Sequence, residues 1–190
     1  MRRLFSFPQL DEPYNGTGPG TFVPLSELDA LGLTAPIRIV PIWDVVTGGD
    51  QGSAGPYECS SVGQTILVHS AASVTDPLSN YFPSFGFCTS DHVVGRPQGT
   101  ARLQAMQSRT QQAADYFKSA LRLRPVGPGG ITIDPSILAN FNLDASRTVH
   151  NADLVLIMTA RPSPNSPVAG FASCLQMDQF HRCTVAWFNW

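Results

Sequence analysis

Charged side chains are scarce in this 190-residue chain: Asp, Glu, Lys and Arg make up 14% of it, against a usual share of about 25% in globular proteins. Lys118 is the only lysine, and the formal net charge is −2 at pH 7. No run of like charge occurs along the sequence. Nucleic acids and anionic membranes attract basic surfaces, so the composition indicates neither kind of partner.

Long apolar runs are also missing. The strongest run is Leu154–Met158, whereas a transmembrane helix needs about 20 apolar residues. Near the N-terminus, Ser6 and Pro8 interrupt the apolar stretch that follows Arg2 and Arg3, and a signal peptide needs an apolar region of about 7–15 residues. We therefore expect no transmembrane segment and no signal peptide in the chain as written. It either is not secreted in this form or begins inside a longer precursor.

Familiar catalytic motifs are absent from the sequence. A zincin helix places two histidines one turn apart, with a glutamate that activates water, in the pattern His-Glu-x-x-His. None of the four histidines begins such a motif; they are His69, His92, His150 and His181. The Gly-x-Ser-x-Gly elbow and the Lys-Ser/Thr of a phosphate-binding loop are missing too. We expect the histidines to be structural or at the surface, and no catalytic or metal-binding residue is predicted.

Cysteine is present in an even number, four. An even count with few charges fits disulfides in an extracytoplasmic protein, and four reduced, buried thiols in a cytosolic domain fit equally well. Cys183 follows His181 and Arg182, a neighbourhood that would also suit an activated thiol. Because Cys174 lies nine residues earlier in the same hairpin-like region, a structural Cys174–Cys183 disulfide is favoured in an oxidising compartment. Four cysteines allow three pairings, and the sequence alone does not choose among them.

The pattern of turn residues predicts one domain over 36–190, after an irregular lead-in or pro-region remnant over 1–35. Alternation of β-branched residues predicts a strand at Ile37–Ile42, with Pro41 indicating a sheet edge or a position near the strand end. Other stretches are predicted to contain no strands: loops at 47–56 and 77–87, and a short helix or turn at 60–72.

A helix over 100–122 is the clearest predicted element. Its apolar residues recur at helical spacing: Leu103, Met106, Ala113, Ala114, Phe117 and Leu121. Thr100 is predicted to cap its start. The apolar run at 153–159 predicts a central strand covered on both faces. Further strands are predicted at 131–133, 168–173 and 184–188. A long helix between strands is typical of a right-handed crossover in an α/β layer.

Several short motifs occur in a common order along the domain: Ile37-Arg-Ile, Tyr57-Glu-Cys59-Ser-Ser-Val-Gly-Gln64, Cys88, the long helix, Asn151-x-Asp153, Ala172-x-Cys174 and Ala186–Asn189. In this order they resemble the leishmanolysin-type zinc metalloendopeptidases. The resemblance implies an α/β fold, a metzincin-like N-terminal subdomain with a mixed, mostly parallel sheet, one long crossover helix and an antiparallel rim strand. It also implies a secreted or cell-surface protein linked to cell adhesion.

The resemblance carries expectations for the cysteines. It implies a disulfide between Cys59 and Cys88, which would close a loop of about 30 residues and stabilise the fold by roughly 3–4 kcal/mol. The family's partner for Cys174 follows the long helix, where this chain has no cysteine. Cys183 lies where the family usually has none. A rewired Cys174–Cys183 disulfide is therefore our hypothesis.

The resemblance also carries expectations for the site. The strand at 168–173 would be the rim of a substrate cleft, where a peptide backbone adds a strand. Gly170, Phe171 and Ala172 are the candidate substrate-binding residues, with an ordinary edge strand as the alternative. The chain ends before the zinc-binding helix of the family would begin. Zinc and a peptide or protein substrate are thus expected of a full-length parent, and this chain is expected to bind no zinc and to be inactive alone.

Two other functions remain open at this point. The chain could be a non-catalytic extracellular adhesion or binding module that kept the fold, or a non-functional truncated product. Because the family packs an active-site helix on the sheet, we also expect an exposed apolar patch on one sheet face and poor solubility.

Overall fold

The computed structural model of the protein describes residues 29–47, 58–69, 84–94, 99–144, 146–162, 170–179 and 181–190. Its centre is a four-stranded sheet whose strands lie in the order β2 (Ile39–Ile42), β8 (Leu154–Thr159), β10 (Cys183–Asn189) and β9 (Phe171–Met177). The first three strands are parallel, and β9 runs antiparallel to β10. The prediction of a mixed α/β domain is confirmed.

Strands β2, β8 and β10 lie close to their predicted ranges, whereas β9 extends four residues beyond the predicted 168–173, of which 168–169 lie outside the described residues. Strand β8 pairs with β2 on one side and with β10 on the other, so it is central as predicted. The apolar side chains of Val155, Ile157 and Met158 are fully buried. Strand β2 is an edge strand among the described elements, which suits Pro41 because proline lacks the N–H of a ladder hydrogen bond.

Three two-stranded antiparallel sheets accompany the central one. They are β3 (Thr65–His69) with β4 (Ser84–Phe87), β6 (Ile131–Ile133) with β7 (Arg147–Val149), and β1 (Ala35–Pro36) with β5 (Arg122–Leu123).

The first of these sheets corrects two predictions. A helix or turn was predicted over 60–72 and a loop over 77–87, yet Thr65–His69 and Ser84–Phe87 form β3 and β4. A turn does occur before β3, at Val62 and Gly63. The Cys59–Cys88 pair brings the two segments side by side, and Ile66 in β3 is buried. Long-range pairing of this kind leaves no local pattern. Residues 70–83, most of the predicted loop at 47–56, and residues 1–28 of the predicted lead-in lie outside the described residues.

The long helix is α2 (Thr100–Ala120), preceded by the short α1 (Asp44–Thr47). The predicted cap was wrong: Thr100 is the first helical residue, and Gly99 holds the N-cap position without a side-chain hydrogen bond. A Cβ atom at Gly99 would collide with the backbone of Val93 and Val94. Close approach of the chain therefore demands glycine where a capping side chain would otherwise sit. The helix ends where Leu121 becomes extended.

The main hydrophobic core lies on one face of the central sheet. Val155, Ile157, Val185 and Trp187 contribute from the sheet, and β6 and α3 (Pro135–Asn140) cover them with Ile131, Ile133, Ile137 and Leu138. Asp134 caps α3, since its carboxylate accepts a 2.8 Å hydrogen bond from the Ser136 N–H.

Helix α2 covers the opposite face of the sheet only in part. Of its predicted apolar residues, Met106 is buried, whereas Phe117 and Leu121 are 44% and 46% exposed. An apolar groove of about 400 Å³ remains between α2 and the sheet, lined on the sheet side by Leu156, Met158 and other apolar residues. No helix among the described residues is long and apolar enough to cross a bilayer.

Candidate functional site

The predicted substrate-binding residues lie at the start of the antiparallel edge strand. Gly170 immediately precedes β9, and Phe171 and Ala172 are its first two residues. Phe171 is opposite Asn189 and Ala172 is opposite Phe188 in β10. Among the described strands, β9 pairs only with β10. Its other edge therefore presents main-chain N–H and C=O groups that no described strand satisfies, which is the form of site that takes an added strand.

Three features hold the edge strand rigidly against the sheet. The Phe171 ring meets the Trp187 ring edge to face with centroids 4.6 Å apart. Cys174 and Cys183 lie at disulfide distance, with Cα atoms 5.8 Å apart, and join β9 to the start of β10. At Gly170, a Cβ atom would lie 2.8 Å from the Asn189 carbonyl oxygen. Glycine is thus required for the chain to enter the strand so close to β10.

Both disulfides that the sequence analysis expected fit the structure. Cys59 and Cys88 pair with Cα atoms 5.6 Å apart, and all four cysteines are paired. The ladder between β9 and β10 shifts register twice next to Cys183. Bulges of this kind bend an edge strand and increase its twist, so the far end of β9 diverges from a regular hairpin.

A network of buried polar groups links the carboxyl ends of β8 and β10, beside Gly170. The Asn189 side-chain oxygen accepts hydrogen bonds from the Thr159 hydroxyl at 2.6 Å and from the Arg161 N–H at 2.8 Å. The Asn189 amide donates to the Arg161 carbonyl at 2.9 Å. The Trp187 indole N–H donates to the Thr159 hydroxyl oxygen at 2.6 Å. Satisfied networks of buried polar groups rigidify the strands that carry them.

A buried ion pair extends this network to the disulfide loop. The Arg161 Nε lies 2.5 Å from a Glu58 carboxylate oxygen, and both side chains are less than a tenth exposed. Burial raises the pKa of Glu58 above its ordinary value, while the Arg161 charge acts in the opposite direction. The Arg161 guanidinium also lies over the rings of Phe141 and Trp187. The pair fastens the segment beside Cys59 to the end of β8.

Sequence reasoning missed this network. Thr159, Arg161 and Asn189 form no recognisable motif, and Glu58 lies 103 residues from Arg161. The signal that existed was indirect, since Tyr57-Glu-Cys59 and Ala186–Asn189 were both pieces of the family resemblance. Neither piece indicated that the two segments meet.

The histidines and acids of the described chain do not form a metal-ligand set. No group of three or more His, Cys, Asp or Glu side chains with the spacing for a metal occurs among the residues that the structure describes. The ring of His92 is engaged by its own turn, because its Nδ1 accepts a 3.0 Å hydrogen bond from the Thr89 N–H. Burial lowers the pKa of His92. The described residues therefore do not provide a zinc site.

No protein-family model matches the chain, and no curated protein matches it.

Proposed function

We propose that this chain is the N-terminal portion of a leishmanolysin-like zinc metalloendopeptidase, in which β9 binds an extended peptide substrate. The observation that carries the proposal is an antiparallel strand at the edge of an otherwise parallel sheet. This arrangement agrees with the rim strand that the family resemblance implies. The order of β2, β8, β10 and β9, with a long helix between β2 and β8, agrees with the implied metzincin-like subdomain.

The rim strand is suited to recognise a peptide main chain. Strand addition draws its affinity from main-chain hydrogen bonds and its specificity from pockets for alternate side chains. Ala172 is small and exposed on the strand, so it leaves room beside a bound backbone. Because Phe171 and the Cys174–Cys183 pair already fix the strand, little order remains to be imposed on the protein when a peptide binds.

Catalysis is not assigned to this chain. Its sequence has no His-Glu-x-x-His motif, and its described residues offer no zinc-ligand set. In the proposed peptidase, a His-Glu-x-x-His motif would hold the zinc and its glutamate would activate water; this chain's sequence has no such motif. The chain would position substrate and would be inactive alone. Two disulfides support an extracellular or cell-surface location, because such bonds persist in oxidising compartments.

A non-catalytic extracellular adhesion or binding module is the second candidate. The same rigid edge strand, without a ligand set for zinc among the described residues, supports binding without cleavage. The coding sequence that follows Trp190 separates the candidates. A His-Glu-x-x-His motif there supports the peptidase, and a stop codon supports the binding module or a non-functional truncated product.

Peptide binding to β9 is tested with neighbouring proline variants. A fluorescein-labelled hexapeptide of alternating valine and threonine serves as the probe, because main-chain hydrogen bonding does not depend on its side chains. Successive N–H groups of a strand point to opposite edges. Of Ala172→Pro and Ser173→Pro, one therefore removes a bond to β10 and the other removes an N–H from the open edge. We expect the open-edge variant to keep its thermal stability and to weaken binding at least about tenfold, or 1.4 kcal/mol.

The control is a proline on a different edge. Strand β2 already carries Pro41 on its open side, and Ile39 lies two residues away on that same side. Ile39→Pro should therefore leave the peptide affinity unchanged in folded protein. If the purified chain cleaved the probe and a chelator stopped the cleavage, the proposal that this chain is inactive alone would be contradicted. Equal peptide affinity in both β9 variants would contradict the proposed binding edge.

A further inference from the structure

The apolar groove between α2 and the central sheet forms a second site, separate from the β9 edge. Its volume of about 400 Å³ lies within the range of about 300–1,000 Å³ that ligand pockets occupy. One wall is the sheet face that carries Ile39, Leu156, Met158 and Phe188. The other wall is helix α2, which presents the small side chain of Ala113 and the ring of Phe117.

One end of this groove carries polar groups. Trp190 packs with Met106 of α2, and Arg109 and Thr110, one turn further along the helix, line the groove beside it. The indole N–H of Trp190 is buried and has no hydrogen-bond partner among the described residues. A buried donor without an acceptor costs about 1–3 kcal/mol in a folded protein, so a ligand that brings an acceptor would be favoured here once the Trp190 ring turns its N–H into the groove.

The opposite end is apolar. There the Ile37 N–H donates to the Leu121 carbonyl at 3.1 Å, and Leu121, Ile37 and Leu154 line the groove together with Phe117. From Arg109 to its last residue, Ala120, the helix rises about 17 Å at 1.5 Å per residue. The groove is thus elongated along the strands, with a cation and a donor at one end and hydrocarbon along the rest.

We propose that this groove binds a medium-chain fatty acid of about ten carbons, with its carboxylate at Arg109 and the Trp190 indole and its alkyl chain along Phe117 towards Leu121. The carboxylate supplies the acceptor that the indole lacks and pairs with the exposed Arg109 guanidinium. The alkyl chain covers the sheet face that α2 leaves open. The proposal does not depend on the β9 edge or on peptide binding.

The direct test titrates the purified 190-residue chain with decanoate, decanol and decylamine, following tryptophan fluorescence and heat. Decanoate is expected to bind saturably, decanol about tenfold more weakly, and the cationic amine not at all. Over octanoate, nonanoate and decanoate, each methylene should strengthen binding by about fourfold. Equal binding of all three head groups, or no saturable decanoate binding up to about 1 mM, would overturn the proposal.

Variants fix the orientation of the ligand. Arg109→Gln and Trp190→Phe should each weaken decanoate binding about tenfold, and Ala113→Leu should block the groove. Arg122→Gln is the matched control, because Arg122 lies next to the apolar end and is paired with Asp29. If Arg122→Gln weakened binding and Arg109→Gln did not, the assigned polar end would be wrong. A cooperative thermal transition in each variant establishes folding, and the two polar-end substitutions test the site even if Ala113→Leu fails to fold.

Discussion

At the residue scale, Asp153 fixes how β2 and β8 meet. Its carboxylate accepts hydrogen bonds from the Arg38 N–H at 2.9 Å, from the Arg38 Nε and Nη2 at 2.8 Å each, and from the Val126 N–H at 2.6 Å. Arg38 and Asp153 directly precede the two paired strands. Burial opposes ionisation of Asp153, but the hydrogen bonds and the Arg38 charge outweigh it, so the pKa of Asp153 lies below its ordinary value.

Asp153→Asn should therefore lower the free energy of unfolding and make it depend less on pH in the acid range. We expect a loss of about 1–3 kcal/mol in the free energy of unfolding at neutral pH. A carboxyl with a lowered pKa in the folded state stabilises above its unfolded pKa of about 3.9, and that contribution disappears as the pH falls towards the folded value. Urea unfolding from about pH 7 to pH 2 measures this, with the exposed Asp144→Asn as control. A variant with the acid sensitivity of the parent chain would contradict this role.

Sequence reasoning reached part of this residue-scale picture. Asn151-x-Asp153 was singled out through the family resemblance, and Asp153 is indeed a structural centre. Its partner Arg38 is 115 residues away, and a pairing over that distance leaves no periodic signal. The same holds for Glu58 and Arg161, whose contact becomes visible only in the folded chain.

At the element scale, the β9–β10 hairpin is the part of the fold on which the proposed function depends. Replacing Cys174 and Cys183 with alanine removes a cross-link across nine residues. In the chain-entropy model, this loss lowers the free energy of unfolding by roughly 2–3 kcal/mol. Because the cross-link also holds the edge strand, we expect peptide affinity to fall together with the free energy of unfolding. Guanidinium unfolding and peptide anisotropy on the same protein measure both quantities.

The Cys59–Cys88 pair supplies the matched control. Its removal opens a longer loop, across 29 residues, and should cost about 3–4 kcal/mol of stability while leaving the peptide affinity of the surviving folded protein unchanged. A double variant at Cys174 and Cys183 that binds peptide as tightly as the parent chain would show that the cross-link does not support the binding edge.

The elements that sequence reasoning placed well are those with a strong local pattern. The helix predicted over 100–122 is α2, and the apolar run after Asp153 is the central strand β8. Strands β3 and β4 were missed because their pairing is set by a disulfide and by contacts distant in sequence. The predicted apolar face of α2 is buried only in part: Met106 is buried, whereas Phe117 and Leu121 stand half exposed over a groove. Periodicity alone could not show this.

At the scale of the whole molecule, the groove beneath α2 agrees with the expectation of apolar surface on one sheet face. Folded protein should therefore bind the dye ANS and self-associate as its concentration rises, because exposed apolar patches favour association. Ala113→Leu fills the groove and should reduce dye fluorescence several-fold. Gln112→Leu, on the same helix outside the groove lining, is the control. A folded, monomeric chain that does not increase ANS fluorescence would contradict an open groove.

Residue-resolved amide hydrogen exchange with and without the valine–threonine hexapeptide shows whether β9 binds a peptide by strand addition. We expect slowed exchange at alternate amides of Phe171–Met177, the ones that face away from β10, with the rest of the central sheet unchanged. Unaltered exchange along β9 while the peptide is bound, or protection centred on another part of the chain, would contradict strand addition at β9.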